Sequence, residues 1–316
     1  MILIFTHQND AASLRLSNLL TNRCLAHKFI HTISLKDIPN FRLVLEFGTL
    51  KLFVDNERVQ TIYFRKFPRY NFTQIKNKFI ENFIRSEIKS LLDFFISSKI
   101  TDLRILGTSQ RSTSEINKLK YIYLAPKFKI RTPKTIISTC LDDINEVLTS
   151  GIKYVIKPIH SVEFYSTRSN KFYMYTSILE KSILKNKSQL FFPTLLQEFI
   201  DKDCEIRTFY ILNQFYSYAS FGPSYSFESE VNIDSRDYHN RNDSIVNFNL
   251  PKVFEKKLIK LLKYLNINTA SLDIMLSKQN TFFLLDINPY GIYDTASEYC
   301  NYPIESKILK FFTNES

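Results

Sequence analysis

The feature that most restricts the fold is a pair of apolar segments near the C-terminus, at 271–275 and 282–289. Each segment reads as a buried strand, and each carries a carboxylate, Asp273 in the first and Asp286 in the second. A carboxylate among Ile, Leu, Phe and Met is costly to bury unless a cation or a hydrogen-bond donor pairs it. The pattern therefore predicts a β-hairpin whose acidic side chains have a charged partner.

Asn288 suggests that this partner is a metal ion. It follows Asp286 by two positions, so both side chains point to the same face of a strand. Asp273, Asp286 and Asn288 offer only oxygen, the ligand set that Mg²⁺ prefers, especially when phosphates complete its octahedron. A simpler interpretation stays open, because an Asp or Asn at a strand end often just opens a turn.

The bulk properties indicate a globular protein with more than one lobe. Its 316 residues exceed what one small core needs, and 44% of them are hydrophobic. No apolar run of about 18 residues predicts a membrane helix, and residues 1–5 read as a first strand and not as a signal peptide. The four cysteines lack metal-site spacing, which favours free thiols in a reducing cytoplasm. The charge of +11 is spread out, so we expect neither a nucleic acid nor a membrane as partner.

The element pattern is typical of the α/β class. Strands and helices alternate over residues 1–110, with a long amphipathic helix predicted over 74–98. A hairpin is predicted around Asp55 and Asn56, with strands at 50–54 and 58–64. Farther along, the sequence predicts a helix at 141–149, a strand at 153–159, a polar loop at 223–250 and a helix at 251–265.

Charged side chains occupy regular positions on two of the predicted strands. Lys157 lies near the end of an apolar strand, whereas Glu205 and Arg207 alternate with apolar and hydroxyl residues and so share one face. Each position also has an ordinary explanation: a solvated lysine for Lys157, and a surface ion pair for Glu205 and Arg207.

The order of these residues resembles the ATP-grasp superfamily of carboxylate–amine and carboxylate–hydroxyl ligases, over about 111–316. The matching series in chain order is Lys118, Lys157, Gln197, Glu198, Phe199, Ile200, Glu205, Arg207, Asp273, Asp286 and Asn288. The resemblance implies an ATP-grasp fold of mixed α/β lobes. An N-terminal lobe at 1–110 would contact peptide or a second subunit, ahead of a central lobe at 111–190 and a C-terminal lobe with the metal site at 191–316.

Within that superfamily the chain is most similar to the graspetide synthetases, which mature ribosomal peptides, and to their grasp-with-SPASM subgroup. Four stretches carry the similarity: IYFRK at 62–66, NKL at 117–119 with IRTPKT at 130–135, DSRDY at 234–238 with Arg241 ahead of NLP at 249–251, and CNYPIE at 300–305. Each stretch is short, and their shared order is what makes the similarity specific.

The resemblance implies how the nucleotide is held. Lys118 and Lys157 would contact its phosphates as mobile point charges. The backbone of residues 197–200 would line the adenine, and the Glu205 carboxylate would accept hydrogen bonds from the ribose hydroxyls.

The resemblance also implies the reacting centre. Arg207 would clamp the transferred phosphoryl group or the acyl-phosphate, because its planar fork matches phosphate geometry. Arg236 and Arg241 are further catalytic candidates that would reach phosphate or a substrate carboxylate. The three oxygen ligands of the hairpin would hold Mg²⁺.

The reaction implied by the family uses ATP and Mg²⁺. An Asp or Glu side chain of a precursor peptide becomes an acyl-phosphate, and a Ser or Thr hydroxyl or a Lys amine of the same peptide displaces phosphate. The products are a macrocyclic ester or amide and ADP. The implied partners are a precursor peptide with a leader and an acidic, hydroxyl-rich core, a radical-SAM SPASM protein encoded nearby, and a second copy of the chain in a homodimer.

Three positions depart from the family pattern. Asp286 stands where the family usually has Glu, Ile292 stands near the usual Gln, and residues 160–163 after Lys157 contain no glycine. Two other functions therefore stay open: a different ATP-grasp ligase, such as one adding glutamate to a protein tail, and a catalytically silent peptide-binding module. A nucleic-acid binder is less well supported because no aromatic-basic motif accompanies the charge.

Overall fold

The computed structural model describes residues 1–34, 40–66, 68–97, 103–107, 117–159, 163–166, 171–173, 176–184, 188–221 and 244–315. The α-helices in these ranges are α1 (Ala11–Asn22), α2 (Lys78–Ser97), α3 (Lys118–Leu124), α4 (Leu141–Thr149), α5 (Lys252–Tyr264), α6 (Asp294–Tyr299) and α7 (Ile304–Thr313), and short 3-10 helices span Ala125–Phe128 and Lys181–Leu184. None of these described helices is long and apolar enough to cross a membrane.

Twenty strands accompany these helices in the described ranges. They are β1 (Ile2–Phe5), β2 (His27–Ile30), β3 (Thr32–Ser34), β4 (Phe41–Glu46), β5 (Thr49–Val54), β6 (Glu57–Arg58), β7 (Thr61–Phe64), β8 (Arg69–Asn71), β9 (Arg104–Gly107), β10 (Thr135–Cys140), β11 (Tyr154–Lys157), β12 (Glu163–Ser166), β13 (Lys171–Tyr173), β14 (Ser177–Ile178), β15 (Leu190–Glu198), β16 (Lys202–Ile211), β17 (Gln214–Phe221), β18 (Ser244–Phe248), β19 (Thr269–Ser277) and β20 (Phe282–Asn288).

The first part of the chain builds a parallel sheet in the order β2-β1-β7-β9. The predicted hairpin at Asp55 and Asn56 is present, and both residues have positive φ, as a tight two-residue turn requires. Its second strand is shorter than predicted, however. Residues 57–58 pair with β5, whereas Thr61–Phe64 is buried throughout and joins the parallel sheet between β1 and β9.

The middle of the chain forms an antiparallel sheet in the order β10-β15-β11-β14. Helix α4 matches the prediction for 141–149 and contributes Ile144 and Val147 to the core of this sheet. Strand β15 pairs with both β10 and β11, and the chain then passes directly into β16 of the next sheet. We therefore propose that the central and C-terminal units meet at residues 199–201, later than the predicted boundary after 190.

The C-terminal sheet has the order β18-β17-β16-β19-β20 and is antiparallel throughout. Its last two strands are the predicted acidic hairpin. Helices α3 and α5 pack on one face, where Tyr121 and Leu258 join a core with Ile206 and Leu272. The alternation of β16 leaves Glu205 and Arg207 on the opposite face.

Strand β18 corrects one prediction, because residues 244–248 were expected to belong to a polar loop. The segment instead forms the edge strand beside β17. Four of its five residues are exposed, so the strand shows none of the buried alternation that identifies a strand from sequence. Residues 223–243 of the predicted loop lie outside the described residues.

The first and last parts of the chain share a hydrophobic core. Leu16 of α1 and Tyr63 of β7 pack with Ile308 of α7 and Phe209 of β16. The apolar end of the β16 face that carries Arg207 is therefore covered by the N-terminal unit and α7, while the charged end of that face stays uncovered.

A buried ionic cluster lies at this junction. Arg65, which is 3% exposed, donates to the Gly291 carbonyl at 2.8 Å and to Asp10 Oδ1 at 3.3 Å. Asp10 also caps α1 by accepting the Ser13 backbone N–H at 3.1 Å. Burial alone would raise the pKa of Asp10, but Arg65, Lys66 and Ser13 outweigh it and hold that pKa below its ordinary value. Arg65 thus ties the first sheet to the turn after the acidic hairpin.

Replacing Arg65 with Met is expected to destabilise the protein by about 3 kcal/mol, since the change leaves Asp10 buried with only part of its compensation. Arg58 on exposed strand β6 provides the matched control, and its replacement with Met should cost less than about 0.5 kcal/mol. Urea unfolding followed by circular dichroism measures both variants. Equal stabilities would mean that the cluster contributes nothing to the junction.

Candidate functional site

A cleft opens between the central sheet and the C-terminal sheet. It is lined by the charged end of β16, the start of α3, and parts of β11, β15, β19 and β20. The lining side chains that matter below are Lys118, Lys157, Gln197, Glu198, Phe199, Ile200, Lys202, Glu205, Arg207, Asp273, Met275 and Asp286. The structure therefore brings together most of the residues predicted from sequence, although they span about half of the chain.

Three charged residues form a row across the floor of this cleft. Arg207 on β16 lies directly opposite Asp273 on β19, which in turn lies directly opposite Asp286 on β20. Arg207 Nε is 3.7 Å from Asp273 Oδ1. Because directly opposite residues in antiparallel strands point to the same face, the cation and both carboxylates face the cleft together.

A β-bulge helps to place this row. Asp273 pairs with Asp286, but the next residue, Ile274, pairs with Leu284, so Leu285 is an extra residue in β20. A bulge interrupts strict alternation and turns neighbouring side chains toward one face. Leu285 and Asp286 accordingly both line the cleft.

Tyr121 contacts Asp286 from the core side of the sheet. Its side chain is 1% exposed, and its hydroxyl lies 2.5 Å from Asp286 Oδ1 and 2.8 Å from the Leu285 carbonyl oxygen. Burial, followed by the nearby Asp286 carboxylate, raises the pKa of the Tyr121 phenol well above its usual value. The hydroxyl therefore keeps its proton and acts as a hydrogen-bond donor.

The predicted phosphate-binding lysines approach the cleft from the other sheet and from α3. Lys157 ends β11 and donates to Gln197 Oε1 at 2.9 Å, while the Gln197 amide donates to Thr135 Oγ1 at 3.2 Å. Lys118 begins α3 and lies 3.4 Å from the Pro158 carbonyl oxygen. Both ammonium groups thus lie beside the same cleft as the carboxylate row, which makes it suitable for a polyanion carrying a cation.

The connection from β15 to β16 forms the back of the cleft. Its backbone is fixed by bonds from Glu198 N–H to the Lys134 carbonyl at 2.8 Å and from Phe199 N–H to the Lys153 carbonyl at 2.9 Å. Glu205 follows on β16 and forms an ion pair with Lys202. An apolar side chain, Met275, lies directly opposite Glu205. This end of the cleft combines a fixed backbone with an apolar surface, as a planar heterocycle requires.

The remaining predicted residues are placed differently. Asn288 is exposed at the end of β20, where its Oδ1 accepts the Tyr290 backbone N–H at 3.0 Å, and it does not line the described part of the cleft. Arg236 and Arg241 lie outside the described residues, as do residues 160–162 of the glycine-free segment after Lys157.

The donor set fits a hard divalent cation that carries phosphate. Asp273 and Asp286 supply two carboxylates, and no described group of three or more His, Cys, Asp or Glu is arranged to hold a metal by protein ligands alone. Two carboxylates with substrate phosphates are the usual way in which proteins bind Mg²⁺. The residues present therefore suit a magnesium ion that arrives with a nucleotide.

Sequence reasoning missed Tyr121, Lys202 and Met275. Tyr121 has the spacing of an ordinary core residue on a helix, and Met275 is one apolar position among several on β19. Lys202 is the first residue of β16, three positions before Glu205, but nothing in the sequence separates it from a solvated lysine. Their roles follow only from the strand register and the packing of α3.

No protein-family model matches the sequence, and no curated protein matches it. Solved structures do match over almost the whole chain. The Chryseobacterium gregarium RiPP-associated ATP-grasp ligase, solved with ADP and a leader and core peptide, has a TM-score of 0.77 at 16% identity, covering 100% of this chain and 97% of that one. D-alanyl-alanine synthetase A from Vibrio cholerae has a TM-score of 0.54 at 12% identity, covering 99% and 97%. The chain thus has the fold of ATP-grasp ligases, and the predicted fold class is confirmed.

A second peptide-bound structure is similar to the same degree. The macrocyclase MdnC bound with precursor peptide MdnA from Microcystis aeruginosa has a TM-score of 0.74 at 18% identity, covering 99% of each chain. The two structures solved with peptides are therefore more similar to this chain than the D-alanyl-alanine synthetase is.

Proposed function

We propose that the protein is an ATP-dependent ligase that crosslinks side chains of a ribosomal precursor peptide. The observation that carries the proposal is the row of Arg207, Asp273 and Asp286 facing a cleft that also holds Lys118 and Lys157. The similarity of the fold to ligases solved with precursor peptides supports a peptide substrate. The graspetide motifs in the sequence support the same class.

We assign the nucleotide to the end of the cleft behind the row. The backbone of residues 197–200, which is fixed at Glu198 and Phe199, and the Met275 side chain would hold the adenine. Glu205 would accept hydrogen bonds from the ribose hydroxyls. Lys118 and Lys157 would contact the phosphates. Asp273 and Asp286 would hold Mg²⁺, and Asn288, whose Oδ1 accepts the Tyr290 N–H in this structure, is the third candidate ligand. The ion, when bound, neutralises phosphate charge and orients the terminal phosphoryl group.

The chemistry follows from this placement. A peptide Asp or Glu carboxylate oxygen attacks the γ-phosphorus, the bond to the β–γ bridging oxygen breaks, and ADP leaves. Arg207 stabilises the charge on the transferred group through its planar fork. A Ser or Thr hydroxyl or a Lys amine then attacks the acyl carbon and loses its proton, and the bond from that carbon to the phosphate oxygen breaks. Positioning and electrostatics supply the catalysis, with no covalent enzyme intermediate.

We further propose that the enzyme works in the cytoplasm as a homodimer, with a radical-SAM SPASM protein as a second partner. The four cysteines are free in the structure, which agrees with a reducing compartment. Arg236 and Arg241 remain candidates for binding phosphate or the substrate carboxylate.

The proposed function is tested by searching the reading frames beside the gene for a small peptide rich in Ser, Thr, Asp and Glu, and co-expressing any such peptide with the chain. The peptide should lose the mass of one water for each crosslink, and co-expression with the Asp286→Asn variant should leave it unmodified. A gain in mass by glutamate units would instead identify a glutamate-adding ligase. An unmodified peptide, together with no Mg²⁺-dependent ADP formation, would indicate a silent binding module.

Replacing Lys157 with Met should weaken ATP binding by about tenfold to a hundredfold. A hydrogen bond to a charged group contributes about 1.5–3 kcal/mol, and about 1.4 kcal/mol corresponds to a factor of ten in affinity. Isothermal titration with a non-hydrolysable ATP analogue measures the effect. Lys256→Met on the exposed face of α5 is the matched control, and equal affinities for the two variants would contradict the assignment of Lys157.

A further inference from the structure

Helix α3 connects the two halves of the proposed site. Lys118 at its first position faces the cleft, and Tyr121 lies one helical turn later, within the core beneath the acidic hairpin. The next segment reinforces this attachment, because the Leu284 backbone N–H donates to the Arg131 carbonyl at 2.9 Å. The position of β20 is therefore set by the α3 region as well as by β19.

The hydroxyl of Tyr121 meets two acceptors that the bulge presents. One is the carbonyl of Leu285, the extra residue of the bulge, and the other is Asp286 Oδ1. The phenol has a single proton, and a charged carboxylate is the stronger acceptor. The Ile287 backbone N–H also donates to Oδ1, at 3.0 Å. Oδ1 thus has two donors, and no described residue donates to Oδ2.

We propose that Tyr121 is a positioning residue for the metal site: its hydroxyl fixes Asp286 through Oδ1 so that Oδ2 is presented to Mg²⁺. The inference rests on the proposed function, since it concerns how that site holds its ion. The carboxyl torsion of an Asp side chain is broad, so an unrestrained Asp286 samples orientations that do not face the cleft. The hydrogen bond from Tyr121 restricts this freedom.

The Tyr121→Phe variant keeps the ring in the core and removes only the donor. Removing a hydrogen-bond partner of a metal ligand typically weakens metal binding by about 10–100-fold. We expect the Mg²⁺ concentration that half-saturates nucleotide binding to rise by the same factor. Binding of a fluorescent ADP analogue, titrated with MgCl₂ at fixed protein, gives this concentration without any turnover. Nucleotide binding in EDTA should not change, because Tyr121 does not line the cleft.

Tyr123 supplies the matched control. It lies on the same helix, is 68% exposed, and Tyr123→Phe should leave the Mg²⁺ requirement at the wild-type value. Tyr121→Met is the second variant if the Phe variant unfolds, because an unbranched apolar side chain fills the space and also lacks the donor. Circular dichroism establishes that each variant is folded.

The outcomes separate the two claims. If the wild-type chain binds the ADP analogue more tightly with Mg²⁺ and the folded Tyr121 variants need the same Mg²⁺ concentration as Tyr123→Phe, the positioning role is wrong while the proposed function stands. If the wild-type chain shows no Mg²⁺-dependent binding at all, the metal site fails, and the role of Tyr121 fails with it.

Discussion

Exchanging Asp286 for Asn is expected to lower peptide-dependent ADP formation by at least about a thousandfold while the protein stays folded. An amide at this position keeps the shape of the side chain and removes the charge that faces the cleft. Metal-ion stabilisation of transferred phosphate contributes several kcal/mol, and each 1.4 kcal/mol or so is a factor of ten in rate. Asp273→Asn should act in the same way, because the two carboxylates are register partners on the same face.

Asp201→Asn is the control for this experiment. Asp201 is an exposed acidic residue that forms a surface ion pair with Lys278, so its replacement should leave turnover within about twofold. A coupled assay for ADP measures the rates, and thermal unfolding checks the fold. If Asp273→Asn and Asp286→Asn both turned over at the rate of Asp201→Asn, the carboxylate row would have no part in the reaction.

The second large effect is expected at Arg207. Arg207→Lys keeps a positive charge in the cleft but replaces the planar fork with a single ammonium group. Hydrogen-bond donors positioned toward the charge that develops in the transition state typically increase the rate by about a hundredfold to a thousandfold. The Arg207→Lys variant should lose most of this rate enhancement. The KM for ATP should change much less, because Arg207 is assigned to the transferred group and not to the bound nucleotide.

The matched substitution Arg58→Lys, on an exposed strand that does not line the cleft, should change neither parameter. Single-turnover measurement of peptide crosslinking separates chemistry from nucleotide binding. An Arg207→Lys enzyme with normal single-turnover rate and weakened ATP affinity would show that the residue holds the nucleotide and does not stabilise the transferred phosphoryl group.

Much of the fold could be predicted because, in many elements, the apolar pattern of the sequence coincides with the face that the structure buries. Helix 141–149 shows its apolar stripe in the sequence, and the Asp55–Asn56 turn has the residues that tolerate positive φ. The edge strand 244–248 could not be found in this way, because it buries almost nothing. The shorter β6 was missed because the pairing of β7 with β1 and β9 joins residues that are distant in sequence.

The site residues that could be predicted are charged residues within otherwise apolar strands. Asp273, Asp286 and the alternation of Glu205 with Arg207 are visible in this way, and the structure places all four in one cleft. The sequence does not show which of these residues lie opposite one another, because that depends on the order of the strands in the sheet and on how they pair. The role of Tyr121 could not be predicted for a different reason. A buried tyrosine on a helix has the pattern of an ordinary core residue, and only the structure shows which acceptor its hydroxyl contacts.

Activation of the substrate as an acyl-phosphate is tested most directly by following oxygen from the substrate carboxylate. The precursor peptide is labelled with ¹⁸O in its Asp and Glu side chains and incubated with the enzyme, ATP and Mg²⁺. Activation as an acyl-phosphate predicts that the released inorganic phosphate carries one ¹⁸O for each crosslink formed. Phosphate without ¹⁸O, alongside normal crosslinking, would contradict it, since the carboxylate would then never have been joined to phosphorus.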